Sequence, residues 1–126
     1  MRPIRLPGKK SLKLKNVKTT VDNILFHSGA EARRYTQLSI MQRSGVIADL
    51  ILQPVFNIEI NEISICKVIL DFKYRVVATG RIVWEDVKGK QTVVSSLKKK
   101  LVEAVHGIEV DLIRMERARR ARRGKR

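Results

Sequence analysis

The chain has 126 residues, a formal net charge of +15 and a single cysteine, Cys66. This length suits one domain with a hydrophobic core of useful size. One cysteine excludes an internal disulfide, and with only His27 and His106 beside it a structural zinc site is not expected. No apolar run approaches the roughly 18 residues that a membrane span needs, and no signal peptide is visible. We therefore expect a soluble, cytoplasmic protein.

The positive charge is concentrated at the two ends. Residues 1–18 carry seven lysines and arginines and no acid, and residues 117–126 carry another seven and no acid. Without those fourteen charges the remainder has a net charge of about +1. Runs of like charge repel one another and are typical of segments that bind polyanions. We expect a basic N-terminal arm (residues 1–16), a domain (residues 17–115) and a basic C-terminal tail (residues 116–126).

Nucleic acid is the polyanion that this charge pattern favours. An acidic membrane surface is the first alternative, but neither arm has the bulky apolar face of an interfacial helix. A purely solubilising role for the arms is the second alternative.

The first elements of the domain are a hairpin and a helix. Residues 17–26 should turn at Asp22-Asn23, because both residues tolerate positive φ. Ser28 followed by Glu31 has capping-box spacing, so a helix should begin there and end before Gly45. At 100° per residue Glu31 shares the inward side with Tyr35 and Leu38, whereas Arg33, Arg34 and Arg43 diverge from it. Glu31 either faces something positive or only completes the cap.

Three strands joined by tight turns are predicted next. The first covers residues 48–60, where Pro54 indicates an edge or a break. The second covers residues 63–78 after a turn at Asn61-Glu62, and the third is Ile82–Lys88 after Thr79-Gly80. These strands should form an antiparallel meander, which makes the strand of Asp71 a neighbour of the strand of Asp86.

A second helix should run from after Thr92 to about His106, and residues 108–112 alternate as a last strand. The order from residue 28 is then α-β-β-β-α-β. This order predicts an α+β or α/β sandwich with helices packed on a mixed sheet.

An acidic cluster with one lysine is the candidate site. Period-two alternation puts Asp86 and Lys88 on one strand face and Glu85 on the other. Opposed residues on neighbouring strands lie roughly 5 Å apart, so Asp71 can approach Asp86. Mg²⁺, for which Mn²⁺ should substitute, would relieve the repulsion of the carboxylates and activate water against a phosphodiester. The alternative is that Asp86 and Lys88 are a solvated surface pair.

Four stretches resemble the PD-(D/E)xK nuclease superfamily, and in particular a family of small phage and prophage proteins assigned to it. They are Phe26–Tyr35 (FHSGAEARRY), Leu52–Phe56 (LQPVF), Asp71–Tyr74 (DFKY) and Val83–Gly89 (VWEDVKG). The resemblance covers about residues 17–115 and implies a restriction-endonuclease-like core. It also implies that Asp71 and Asp86 are metal ligands, that Lys88 is the catalytic lysine and that Glu31 is the helix acid and a third metal-binding residue. Leu70 stands where the superfamily has a proline.

The sequence thus favours an Mg²⁺-dependent DNA endonuclease, selective for branched DNA such as a Holliday junction and acting as a homodimer with no small-molecule cofactor. The alternatives are a general DNA nuclease and a non-catalytic basic nucleic-acid-binding protein. Flexible arms contact phosphates more naturally than base edges. The residues expected to contact DNA are Arg33, Arg34, Lys73, Lys90, Lys98, Lys99, Lys100, Arg119, Arg120, Arg122 and Arg123.

Overall fold

A computed structural model of the protein describes residues 18–115, so the two basic arms lie outside the described residues. Ten elements follow one another along this part of the chain. They are β1 (Thr19–Val21), β2 (Ile24–Phe26), α1 (Gly29–Arg43), β3 (Ile47–Leu52), β4 (Val55–Ile60), β5 (Ile63–Ile69), β6 (Phe72–Val76), β7 (Ile82–Val87), α2 (Val93–His106) and β8 (Val110–Ile113).

The fold is α+β, built on a four-stranded mixed sheet in the order β3-β6-β7-β8. Neighbouring strands are antiparallel except for the last pair, β7 and β8, which are parallel. The connection between these parallel strands contains α2, as a parallel crossover requires. The sheet and its two helices follow the order α1-β3-β6-β7-α2-β8, so the predicted fold class is confirmed.

One part of the predicted topology is wrong: two of the three expected strands are each divided in two. In residues 48–60 the break that Pro54 indicated separates β3 from β4, and the segment over residues 63–78, expected as one strand, forms β5 and β6. The strands β4 and β5 pair only with each other, and β3 pairs directly with β6. The expected three-strand meander is therefore a sheet with a β4–β5 hairpin inserted into it.

Proline and a positive φ explain the division. Pro54 has no N–H for a continuing ladder, and Gln53 before it has a φ of 54°. The chain leaves the sheet at this point and returns beside it. Gln53 N–H donates to the carbonyl oxygen of Asp71 at 2.9 Å, and Leu70 N–H donates to that of Pro54 at 3.0 Å. These two bonds close the base of the inserted hairpin and place Asp71 where β6 begins.

Two hydrophobic clusters form the core. The first lies with α1 and the second with α2 and the β4–β5 hairpin. Strand β7 contributes to both, because Val83 belongs to the first cluster and Trp84 packs against the second. The buried members of the first cluster are Phe26, Ala32, Leu38, Ile47, Phe72, Tyr74 and Val83, and those of the second are Ile58, Val68, Leu70, Val102 and Val110.

The turns and helix ends agree with the sequence signals. Asp22 and Asn23 have φ values of 52° and 64°, which confirms the first hairpin turn. Ser28 caps α1 by accepting a hydrogen bond from Glu31 N–H at 3.1 Å. Gly107 ends α2 in the left-handed region with a φ of 68°, as expected of a residue that follows a helix. Among residues 18–115 no helix is long and apolar enough to cross a membrane.

Candidate active site

The site forms where β6 begins and β7 ends, which is one end of an antiparallel strand pair. In the register of this pair Phe72 is opposite Glu85, so Asp71 and Asp86 are the next residues outward. Asp71 N–H donates to the carbonyl oxygen of Glu85 at 3.1 Å, which extends the ladder by one bond. The backbone therefore holds the two aspartates side by side at the sheet end.

The Asp71 carboxylate is held by the backbone and by two other acids. Its Oδ2 accepts a hydrogen bond from Val87 N–H at 2.7 Å. Its side chain also interacts with those of Glu31 and Asp86. Burial, followed by the contact with Glu31, raises the pKa of Asp71 from 3.8 to about 6, although the Val87 amide opposes this change. A carboxyl with this pKa can carry a proton near neutrality when nothing positive is bound.

Asp86 is the second carboxylate, and Lys88 is its partner. Lys88 Nζ lies 3.3 Å from Asp86 Oδ2, with 27% and 14% of the two side chains exposed. Burial and the neighbouring Asp71 raise the pKa of Asp86 to about 6, and Lys88 opposes the change. The two side chains are half-buried, so they do not form the solvated surface pair that was the alternative.

Glu31 completes a row of three acids from the first turn of α1. It is only 6% exposed, and its side chain reaches Asp71. The amide of Glu31 donates to the capping residue Ser28, and its carboxyl group interacts with Asp71, so capping is not its only role. The expected placement is confirmed: Asp86, and not Glu85, faces Asp71.

Glu85 instead belongs to a buried network that the sequence did not reveal. It is 1% exposed and receives two hydrogen bonds from Arg34, from Nε to Oε1 at 2.8 Å and from Nη2 to Oε2 at 2.7 Å. The hydroxyl of Tyr74 donates to Oε2 at 2.5 Å. Burial and this bond raise the pKa of Tyr74 well above its usual range, and the bond to Glu85 raises the pKa of Arg34.

The network corrects the expectation for Arg34. This residue was expected to diverge from the inward side of α1, but its side chain is only 18% exposed and is paired with Glu85. Its expected contact with DNA stays a prediction. Arg34 lies three residues after Glu31, which is about 60° from it around the helix, so a buried acid on β7 can draw it inward. The helix period places Arg34 close to the inward side of α1, but only the folded chain shows that its partner is Glu85.

Protein neighbours are seen for Lys73 and Lys99, which were also expected to contact DNA. Lys73 Nζ lies 5.9 Å from the centre of the Trp84 ring, and Lys99 pairs with Glu103 at 3.1 Å. Lys90, Lys98, Lys100 and Arg33 have exposed side chains. The four arginines expected in the tail, Arg119, Arg120, Arg122 and Arg123, lie outside the described residues.

The acids fit a hydrated cation better than a full protein cage. Among residues 18–115 no group of three His, Cys, Asp or Glu side chains is placed to hold a metal ion as the side chains stand. The adjoining pair Asp71 and Asp86 nevertheless matches what Mg²⁺ commonly uses, which is one or two carboxylates together with water and substrate phosphate. The raised pKa values of both aspartates indicate that a bound positive charge would stabilise their ionised forms.

Fold and site together define an α+β protein with three acids and a lysine at one end of its central strand pair. The chain belongs to a family described as "Protein of unknown function (DUF1064)", whose model matches residues 11–121. No curated protein and no solved structure matches the chain.

Proposed function

We propose that this protein is an Mg²⁺-dependent DNA endonuclease of the PD-(D/E)xK superfamily, of phage or prophage origin. The observation that carries the proposal is the convergence of Glu31, Asp71 and Asp86 with Lys88 against Asp86. Three acids in a row repel a phosphate backbone, so a protein that only bound DNA would gain nothing from them. A basic protein that brings acids together in this way is better suited to hold a cation against a phosphate.

The side chains would divide the work as follows. Asp71 and Asp86 would hold the cation, and Glu31 would strengthen cation binding through its contact with Asp71. When bound, the cation supplies Lewis acidity and lowers the pKa of a bound water. The amide of Val87 fixes the Asp71 carboxylate. Lys88, which is half-buried and beside Asp86, is placed to orient the attacking water or to neutralise charge on the scissile phosphate.

The ends of the described chain support a DNA substrate at this site. Lys88 N–H donates to the carbonyl oxygen of Ile113 at 3.0 Å, so the parallel strand β8 ends beside the candidate lysine. At the other end of the described chain, Thr19 lies beside Gly29, in the first turn of α1 that also carries Glu31. The Thr19 Oγ1 atom is 3.8 Å from the position that a β-carbon on Gly29 would take. Both basic segments of the sequence therefore connect to the fold close to the acids.

We base the expected selectivity for DNA shape on the few elements in this domain that could read a base sequence. Residues 18–115 contain no element apart from the small sheet, two helices and two hairpins with which to read bases. We therefore infer a preference for branched DNA, such as a Holliday junction. A homodimer would supply one site for each strand. Such an enzyme would act in the cytoplasm, which for a phage-encoded protein is that of the bacterial host.

The test is cleavage of junction, flap and linear DNA with Mg²⁺, Mn²⁺ or EDTA. We expect cleavage with either cation and none with EDTA. Asp71→Ala and Lys88→Ala should abolish cleavage while DNA affinity stays close to that of the wild type. Asp49→Ala is the matched control, because Asp49 is exposed and pairs with Arg75 away from the acids. Cleavage at the wild-type rate by both site variants would refute the assignment.

One observation favours a second candidate, a non-catalytic nucleic-acid-binding protein. No three potential ligands among the described residues are already placed around a metal position. In that case the wild type would bind DNA with the salt dependence of a basic protein, and no cation would induce cleavage. The same assay therefore separates the two functions.

A further inference from the structure

The buried network on the opposite face of β7 is connected to every acid of the candidate site. Glu85 is the chain neighbour of Asp86. Its carbonyl oxygen accepts the hydrogen bond from Asp71 N–H at 3.1 Å. Its carboxylate binds Arg34, which lies one helical turn beyond Glu31 on α1. One residue thus contacts, directly or through one neighbour, all three elements that deliver the acids.

The contacts of Glu85 are of the kind that fix geometry. The guanidinium of Arg34 donates to both carboxylate oxygens, and such a fork sets the orientation of both groups as well as their distance. Arg34 Nη1 also donates to Gln37 Oε1 at 2.7 Å, which holds the fork from the helix side. Tyr74 donates to Glu85 from β6, the strand that begins next to Asp71. Glu85 is therefore restrained from α1 and from β6 at once.

We propose that Arg34, Glu85 and Tyr74 form a positioning clamp that sets Glu31 against the Asp71–Asp86 pair and so determines the affinity of the site for a divalent cation. The clamp touches neither cation nor substrate, and it acts by holding α1 at one angle and height over β7. Arg34 follows Glu31 by three residues on the same helix, so a shift of α1 that loosens the fork moves Glu31 by a similar amount. This inference rests on the proposed function for the identity of the ligand, but the positioning itself is independent of it.

Simple loss of stability would also weaken a site, so the variants must separate positioning from packing. Arg34→Lys keeps the charge but cannot form the fork. Tyr74→Phe removes one hydrogen bond and keeps the ring in place. Replacing both members of the pair, Arg34→Met with Glu85→Leu, leaves no buried charge unpaired and commonly preserves or increases stability. Glu103→Gln is the control, because Glu103 joins Lys99 to the backbone of β8 without contacting the acids.

The first measurement is Mn²⁺ affinity of the full chain by calorimetry. Residues that orient metal ligands typically change affinity by about 10- to 100-fold when replaced. We expect a loss of affinity of this size for Arg34→Lys. The double variant should show the same loss even if it is as stable as the wild type. The loss should be smaller for Tyr74→Phe and absent for Glu103→Gln. Wild-type affinity in the stable double variant would overturn the proposal, because packing alone would then suffice.

A double-mutant cycle tests whether the clamp acts through Glu31. In the wild-type background Glu31→Gln should weaken Mn²⁺ binding. In the Arg34→Lys background the same change should add little, because Glu31 is already displaced. Fully additive losses would show that the clamp and Glu31 act separately, which contradicts the proposal.

Amide hydrogen exchange without metal decides the proposal even if the protein binds no cation. The amide of Val87 is protected by Asp71 Oδ2 and the amide of Asp71 by the Glu85 carbonyl. Loosening the clamp should accelerate exchange at both amides by at least about tenfold relative to the β4–β5 hairpin. Unchanged exchange would overturn the clamp. Absence of Mn²⁺ binding by the wild type, with local acceleration in the variants, would refute the proposed function and the effect on cation affinity, and would support the positioning of the acids by the clamp.

Discussion

Neutralising Asp71 should stabilise the metal-free protein in a pH-dependent manner. The pKa of Asp71 and that of Asp86 are each raised from 3.8 to about 6 in the folded state. Below about pH 3 both states are protonated and no penalty exists. Between about pH 4 and about pH 6 the unfolded chain loses these protons while the folded chain keeps them, so the free energy of unfolding falls as the pH rises.

The size of the effect follows from the shift in pKa. About two pKa units correspond to about 3 kcal/mol at 1.4 kcal/mol per unit. Burial is the main cause of both shifts, and because the two carboxyls also interact with each other we count the effect once for the pair. Above about pH 6 Asp71→Asn should therefore be more stable than the wild type by up to about 3 kcal/mol, and the difference should decrease with falling pH and vanish at about pH 3. The new amide oxygen can still accept the hydrogen bond from Val87.

Urea unfolding of the full chain across this pH range measures the effect. Comparison with the wild type at each pH cancels the influence of the net charge of +15. The matched control is Asp49→Asn, which replaces an exposed aspartate away from the acids and should not reproduce the pH-dependent gain of Asp71→Asn. Parallel curves for the wild type and Asp71→Asn would refute the raised pKa of Asp71 in the folded state.

A divalent cation should reverse the penalty in the wild type. A ligand at 100 times its dissociation constant stabilises the folded state by about 2.7 kcal/mol. We expect a stabilisation of this order at neutral pH and a much weaker one near pH 4, where protons compete for the carboxylates. Asp71→Asn should show little response to the cation at either pH.

The remaining predictions concern DNA. Deleting residues 117–126 should weaken binding and reduce the slope of log affinity against log salt by up to about 0.9 per lost phosphate contact, measured by fluorescence anisotropy; an unchanged slope would show that the tail is not used. A four-way junction should be cut faster than linear duplex of the same sequence, and equal rates would favour a general nuclease.

Local signals in the sequence were sufficient for most elements. The turn at Asp22-Asn23, the cap at Ser28 and the end of α2 at Gly107 depend on neighbouring residues, and all three are found where they were expected. The inserted hairpin was not predicted, because periodicity runs through Pro54 without showing that the two halves of the segment join different sheets. Which strand a segment pairs with is decided by distant partners, and here β3 pairs with β6.

For the site, the sequence by itself determined which face each side chain of β7 takes, because strand alternation is a local property. It therefore separated Asp86 and Lys88 from Glu85. Only the tertiary structure decided what each face meets. The helix α1 brings Glu31 to Asp71 in the acidic cluster and Arg34 to Glu85 in the buried network. A buried ion pair between residues 51 positions apart depends on helix and strand packing, and no local pattern contains that information.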